Sequence, residues 1–97
     1  MAITDITPRG GNVFVDLGIE EEEAANLKVR STLMIEIRKV IELRGLRQTE
    51  AAEVFGVSQP RISDLVRGKI DQFTIDSLVN MLRHAGFHVE VTVAALA

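Results

Sequence analysis

The sequence predicts a small all-α domain of four to five helices with a short C-terminal β-strand. Apolar residues recur at helical spacing between residues 20 and 85, and a glycine follows each of the four periodic segments. After residue 86 the pattern changes to strict alternation, which is typical of a strand with one buried face. The 97 residues are enough for one domain, since domains usually contain roughly 100–150 residues.

The composition excludes several classes of protein. Hydrophobic residues make up 46% and charged residues 26%, as in an ordinary folded domain. The absence of cysteine excludes disulfides, zinc–thiolate sites and a cysteine nucleophile. No apolar stretch is long enough to cross a bilayer, and the first residues lack the apolar core of a signal peptide. We therefore expect a cytoplasmic protein without a membrane partner.

The sequence also lacks the motifs that most enzymes need. It contains no phosphate-binding P-loop, no dinucleotide fingerprint and no nucleophile elbow around any serine. His84 and His88 are four residues apart, but Gly86 interrupts the helix between them, and a metal site would need a third ligand. We expect no enzymatic activity, no cofactor and no metal site.

The net charge of −3 is unevenly distributed along the chain. Residues 1–23 carry one base and six acids, residues 24–70 nine bases and five acids, and residues 71–97 one base and three acids. A basic centre therefore lies between two acidic ends. Local positive charge attracts a phosphate backbone whatever the total charge, although a basic stretch can also be an ordinary solvated helix face.

The first 44 residues are predicted to form an arm and a long helix. Residues 1–19 contain proline and paired glycines and form the N-terminal arm, in which Val13–Phe14–Val15 could make a short strand. The helix runs from Glu20 to about Arg44, either unbroken or divided near Val29–Ser31. The four glutamates at 20–23 suit the positive end of a helix dipole, and they could instead form an acidic surface for a basic partner.

Three shorter helices are predicted next, at Gln48–Phe55, Gln59–Arg67 and Ile75–Ala85. Ser58 and Thr74 precede the last two as N-caps, whose hydroxyls can accept a free backbone N–H of the first turn. Three of the four phenylalanines are expected in the core, namely Phe55, Phe73 and Phe87.

The C-terminal residues 87–97 are predicted to form a strand that mediates dimerisation. Phe87, Val89, Val91 and Val93 alternate with polar residues, and one strand cannot bury this apolar face or pair its own edge. The partner is either Val13–Phe14–Val15 of the same chain or a second copy of the chain.

The segment from Gln48 to Arg67 has the pattern of two helices that cross at a short turn. Close approach needs a small residue, supplied by Ala52, and the turn needs a positive φ, which Gly56 adopts cheaply. Ile62 and Leu65 form the inner face of the second helix. At 100° per residue, the opposite face carries Gln59, Ser63 and Arg67.

This segment resembles the DNA-binding unit of the Cro/λ-repressor type, the Xre family. Five positions match in register: the helix-starting Gln48, the small Ala52, the turn Gly56 and the buried Ile62 and Leu65. The resemblance covers about residues 33–85 and implies that residues 20–86 form a helix-turn-helix DNA-binding domain. It also implies a homodimer that binds a palindromic double-stranded DNA operator.

A narrower resemblance is to small HigA-like antitoxins. It rests on GNVFVDLG near the start, on the acidic residues that lead into a helix, on QTEAAEVFGVSQPRISDLVRG and on the terminal strand. The resemblance implies a repressor of its own operon that neutralises an mRNA-cleaving toxin, a basic protein partner.

The resemblance implies a role for each polar residue of the motif. The second helix enters the major groove, where Gln59 can bond adenine and the shorter Ser63 can contact either base type. Arg61 could reach a guanine or a phosphate, and the remaining positions suit phosphate contacts. The predicted DNA-binding residues are Arg47, Gln48, Ser58, Gln59, Arg61, Ser63, Arg67 and Lys69.

Two alternatives remain open at this point. The chain could be a stand-alone regulator of the Xre type that has no toxin. It could also keep the fold as a protein-interaction module that binds no DNA, which Glu50, Glu53 and Asp64 would favour if they shared one face. Asp64 could accept a hydrogen bond from cytosine N4 or repel wrong registers, and the pattern does not decide between these roles. It identifies neither the operator nor an effector.

Overall fold

The computed structural model describes residues 2–3 and 21–95. Within them it contains four α-helices, one 3₁₀ turn and two strands of two residues each, so the predicted all-α class is confirmed. The Val13–Phe14–Val15 run lies outside the described residues. In chain order the elements are β1 (Ala2–Ile3), α1 (Glu21–Arg44), α2 (Gln48–Phe55), α3 (Gln59–Val66), the 3₁₀ turn (Ile70–Gln72), α4 (Ile75–His84) and β2 (Glu90–Val91).

Helix α1 is unbroken over 24 residues, which decides between the two patterns that its sequence allowed. Its inner face buries Leu33, Met34 and Ile37 against the three shorter helices. The helix ends where Gly45 adopts a φ of 60°. The Leu46 N–H then donates to the Ile41 carbonyl at 3.0 Å, which is the hydrogen bond of a Schellman ending.

The three shorter helices end in the same way. The residue after each terminal glycine donates its N–H five residues back, at 3.0 Å after α2, 3.0 Å after α3 and 2.9 Å after α4. Helices α3 and α4 each end one residue before the predicted position, a difference within the usual uncertainty of helix ends. Each glycine therefore ends a helix and turns the chain toward the next element.

The core lies between α1 and the other three helices. Phe55 and Phe73 are its largest side chains, and both are almost completely buried as expected. Phe87 departs from the prediction because 36% of its surface is exposed, and its ring contacts the Arg44 guanidinium at 5.6 Å. The buried apolar residues are Leu33, Met34, Ile37, Ala51, Phe55, Ile62, Leu65, Phe73, Leu78, Met81 and Leu82.

The C-terminal strand is much shorter than the alternation predicts. Only Glu90–Val91 has strand geometry, and it pairs in parallel with Ala2–Ile3, a partner that the sequence did not indicate. Val89 packs against the core, whereas Val91 and Val93 are 64% and 80% exposed. Two residues are too few for a strand pair to stabilise itself, so this sheet depends on the rest of the fold.

Candidate nucleic-acid interface

Helices α2 and α3 form the two-helix unit that the sequence predicts, joined by residues 56–58. Gly56 adopts a φ of 69° and a ψ of 33°, the left-handed conformation that allows the chain to turn sharply. Ala51 is fully buried and Ala52 partly buried, so both alanines contribute to the close packing of α2. Ile62 and Leu65 are fully buried and attach α3 to the core, which leaves the opposite face of α3 toward solvent.

Polar side chains lie on the outer face of α3 and at the C-cap that follows it. Gln59 and Arg67 are exposed and Ser63 is partly exposed. None of the three forms a side-chain hydrogen bond or ion pair with another residue that the structure describes. As far as the described residues show, these donors and acceptors are available to a ligand.

Ser58 occupies the N-cap of α3 but does not cap it through its side chain. Its backbone has the expected extended conformation, with φ −74° and ψ 158°, yet its hydroxyl makes no cap hydrogen bond. Pro60 has no N–H to offer, and the Arg61 N–H donates instead to the Ser58 carbonyl at 3.1 Å. The predicted cap was wrong in this respect, and the exposed hydroxyl is left free.

Arg47 and Gln48 lie at the start of α2, and both are exposed. The Arg47 N–H donates to Glu50 Oε1 at 2.9 Å, so Glu50 caps this helix. The contact gives Glu50 a local structural role at the start of α2.

Arg61 is committed to a contact within the protein. Its Nη1 donates to the Gln72 carbonyl at 2.7 Å, and its guanidinium lies 4.2 Å from the centre of the Phe73 ring. The side chain thus connects α3 to the loop that follows it, and it is partly buried there. The remaining N–H groups of the guanidinium can still donate to a ligand.

Lys69 and Asp64 form an ion pair in which Nζ lies 3.7 Å from Oδ1. The pair gives Asp64 a partner within the protein. Lys69 is exposed and Asp64 partly exposed, at 45% and 28%, so the pair contributes little to stability. Lys69 remains close to the outer end of α3, but Asp64 neutralises part of its charge.

Only part of the positive charge of the basic centre, residues 24–70, lies in the α2–α3 unit. On α1, Arg38 pairs with Glu42 at 3.8 Å and Lys39 with Glu36 at 3.5 Å. Residues 47–69 carry four bases and three acids, a small positive excess. Arg67, the C-cap residue of α3, has no acidic partner among the described residues, so its charge is available to a phosphate.

Two residues for which the sequence predicted no role in this unit support it. Arg30 of α1 donates from Nη1 to the carbonyls of Ile70 and Phe73, at 3.2 and 3.4 Å. His84 of α4 places Nδ1 2.9 Å from the Val54 carbonyl, at the end of α2. Neither contact has a sequence signal, because every residue offers a carbonyl and no partner side chain is involved.

No helix among the described residues is long and apolar enough to cross a membrane. Among curated proteins, no relative matches the chain. The family described as "Helix-turn-helix domain" does match, over residues 13–94 of the 97. That range contains all four α-helices and the exposed face of α3, and helix-turn-helix units are DNA-binding units of transcriptional regulators. This chain belongs to the helix-turn-helix domain family.

Proposed function

We propose that the protein is a sequence-specific DNA-binding repressor that acts as a homodimer in the cytoplasm. The observation that carries this proposal is the outer face of α3. The side chains of Gln59, Ser63 and the C-cap residue Arg67 bond no other described residue, and the inner face of the helix is fully buried. A rigidly held helix with free polar side chains is what insertion into a major groove requires.

The polar residues divide into base contacts and phosphate contacts. Gln59 is at the start of α3, where its amide can bond N6 and N7 of adenine, and Ser63 follows one turn later. The phosphate contacts position the helix without specifying sequence, and Arg61 joins them through its remaining N–H groups. The proposed phosphate-contacting residues are Arg47, Gln48, Ser58, Arg61, Arg67 and Lys69.

Selection from a random-sequence duplex library tests this proposal. The wild-type protein should enrich a palindromic sequence, with half-sites about one helical turn apart. Gln59→Ala should lose preference at one base position per half-site, at a cost of about 1–3 kcal/mol. The matched control is Gln72→Ala, another exposed glutamine, whose side chain forms no hydrogen bond with a described residue. A Gln59→Ala protein that enriches the wild-type sequence would remove Gln59 from the base contacts.

The homodimer is supported by the exposed C-terminal segment. Val91 and Val93 are 64% and 80% exposed, and β2 uses only one edge for its pairing with β1. A second copy could cover these side chains and pair the other edge across a twofold axis. Val91→Lys should therefore shift the protein toward monomer in sedimentation, with Thr92→Lys as the neighbouring control. A Val91→Lys protein that remains dimeric would place the interface elsewhere.

An antitoxin role is the more specific form of this proposal. The observation in its favour is that Glu22 and Glu23 are exposed at the start of α1, where they could bind a basic toxin. If an adjacent gene encodes a small basic protein, the wild-type chain should co-purify with it and restore growth to cells that express it. Glu22→Gln with Glu23→Gln should weaken this complex and spare DNA binding. Repression without any such complex would leave a stand-alone regulator, and loss of DNA selection would leave a protein-interaction module.

A further inference from the structure

The turn of the helix-turn-helix unit is covered by a side chain from outside that unit. His84, the last residue of α4, lies over Gly56 and bonds the Val54 carbonyl through Nδ1 at 2.9 Å. The last carbonyls of a helix have no partner within the helix, so this bond satisfies one that α2 leaves free. The imidazole must carry its proton on Nδ1 to donate here.

The approach between His84 and Gly56 is unusually close. A Cβ atom at position 56 would lie 2.7–2.8 Å from three atoms of the imidazole ring. The ring therefore occupies the space that any other residue at this position would need. The glycine serves two purposes: it adopts the positive φ, and it admits His84 to the turn.

The other glycine turn of the same region has no such neighbour among the described residues. Gly68, after α3, has a φ of 75°, and a Cβ there would meet none of their atoms within 4 Å. The same backbone conformation therefore occurs with and without a covering side chain. The imidazole is not a requirement of the turn, so its presence at Gly56 needs a separate reason.

We propose that His84 is a positioning residue for DNA recognition, a role that rests on the proposed function. It holds the end of α2 and the turn against α4, and so it sets the direction in which α3 leaves the turn. Helix α3 has eight residues and is about 12 Å long, so a rotation of about 5° at its start moves its far end by about 1 Å. A displacement of this size is enough to loosen a recognition site.

The test compares three proteins at a temperature well below unfolding. His84→Asn keeps an N–H donor close to the position of Nδ1, whereas His84→Leu keeps bulk and removes the donor. The readout is the ratio of affinities for the duplex selected by the wild type and for a scrambled duplex, at one salt concentration. His84→Leu should lower this ratio about tenfold, and His84→Asn should stay within about threefold of the wild type. An effect on stability alone would leave the ratio unchanged.

Two outcomes would overturn the proposal. One is an unchanged ratio in His84→Leu, and the other is an equal loss in His84→Asn and His84→Leu. If the wild-type protein selects no duplex, the DNA-binding function fails, and the thermal cycle below still decides whether His84 holds the turn.

The thermal cycle combines Gly56→Ala with His84→Ala. In the wild-type background, Gly56→Ala should lower the melting temperature by about 5 °C more than Gly68→Ala, because only the first overlaps a ring. In the His84→Ala background this difference should largely vanish. Equal effects of the two glycine substitutions in the wild type would show that His84 does not occupy the turn. This result would overturn the positioning role of His84.

Discussion

The two turns that flank α3 have the same backbone conformation at their glycines but differ in the side chains around them. Gly56 and Gly68 have φ values of 69° and 75°, and both turns contain the same hydrogen bond five residues back. The first turn is closed by an imidazole ring. The second is open at its glycine, and the loop that follows it is held by arginines. Helix α3 thus starts at a turn that an imidazole ring covers and is followed by a loop that arginine side chains contact.

This difference determines which contacts must break when the turn before α3 or the loop after it is displaced. Displacing the first turn requires the imidazole to move and to give up its bond to the Val54 carbonyl. Displacing the second loop requires the guanidinium groups of Arg30 and Arg61 to leave backbone carbonyl oxygens. Because a ring occupies the space for an added side chain only at the first turn, we expect Gly56→Ala to cost more stability than Gly68→Ala.

The largest effect is expected at Gly56. Both Gly56→Ala and Gly68→Ala place a side chain in the left-handed region, at a shared cost of about 1–2 kcal/mol. Gly56→Ala also drives Cβ into the ring, which should add about 1–2 kcal/mol to the loss in the free energy of unfolding. Urea denaturation of the two variants measures the difference. A larger loss for Gly68→Ala would reverse the comparison.

The sequence predicts the first turn better than it predicts what closes it. Gly56, Ile62 and Leu65 follow from spacing, because a tight turn and a buried helix face restrict residue type at fixed positions. The His84 contact does not follow, because its acceptor is a backbone carbonyl, and a carbonyl leaves no trace in residue type. For the same reason, the bonds from Arg30 and Arg61 to the second loop could not be predicted.

Other departures have different causes. The pairing of Ala2–Ile3 with Glu90–Val91 joins the two ends of the chain through two residues each, and such short segments carry no recognisable strand pattern. The predicted side-chain cap at Ser58 is wrong for a reason visible in the sequence. Pro60 removes one of the two N–H groups from which the hydroxyl could accept a hydrogen bond. For the individual DNA contacts, the sequence pattern and the family match provide only expectations.

Arg30 should give the next largest loss of stability. Arg30→Ala leaves the carbonyls of Ile70 and Phe73 without their donor in a partly buried place, which should cost about 1–3 kcal/mol. The control is Lys39→Ala, which removes only an exposed pair on the same helix and should cost no more than about 0.5 kcal/mol. Both are measured by urea denaturation. Equal losses would mean that these carbonyl bonds do not hold the second loop.

Arg61 tests whether the contact with the loop replaces base recognition. Arg61→Ala removes the bond to the Gln72 carbonyl and the packing on Phe73, so we expect a loss of about 1 kcal/mol in stability. Binding should weaken similarly for all duplexes, with the base preference retained. Arg61→Lys should restore little, because an ammonium group cannot stack as a planar guanidinium does. Loss of preference at a single base position would instead assign Arg61 to a base.

The smallest loss of stability is expected at Asp64, where the substitution should strengthen DNA binding. Asp64→Asn breaks an exposed ion pair with Lys69 and should change the free energy of unfolding by less than about 0.5 kcal/mol. It also removes a negative charge from α3 and frees the ammonium group for phosphate. Affinity should therefore rise for selected and scrambled duplexes alike, and the slope of log affinity against log salt should steepen by up to about 0.9.

The control for net charge is Asp76→Asn, which replaces an exposed acid on α4. If the two variants behave identically, the added affinity comes from total charge, and Lys69 does not reach a phosphate. If only Asp64→Asn strengthens binding, the C-terminal end of α3 contributes electrostatic attraction to DNA. The N-terminal end, where His84 covers the turn, contributes the direction of the helix.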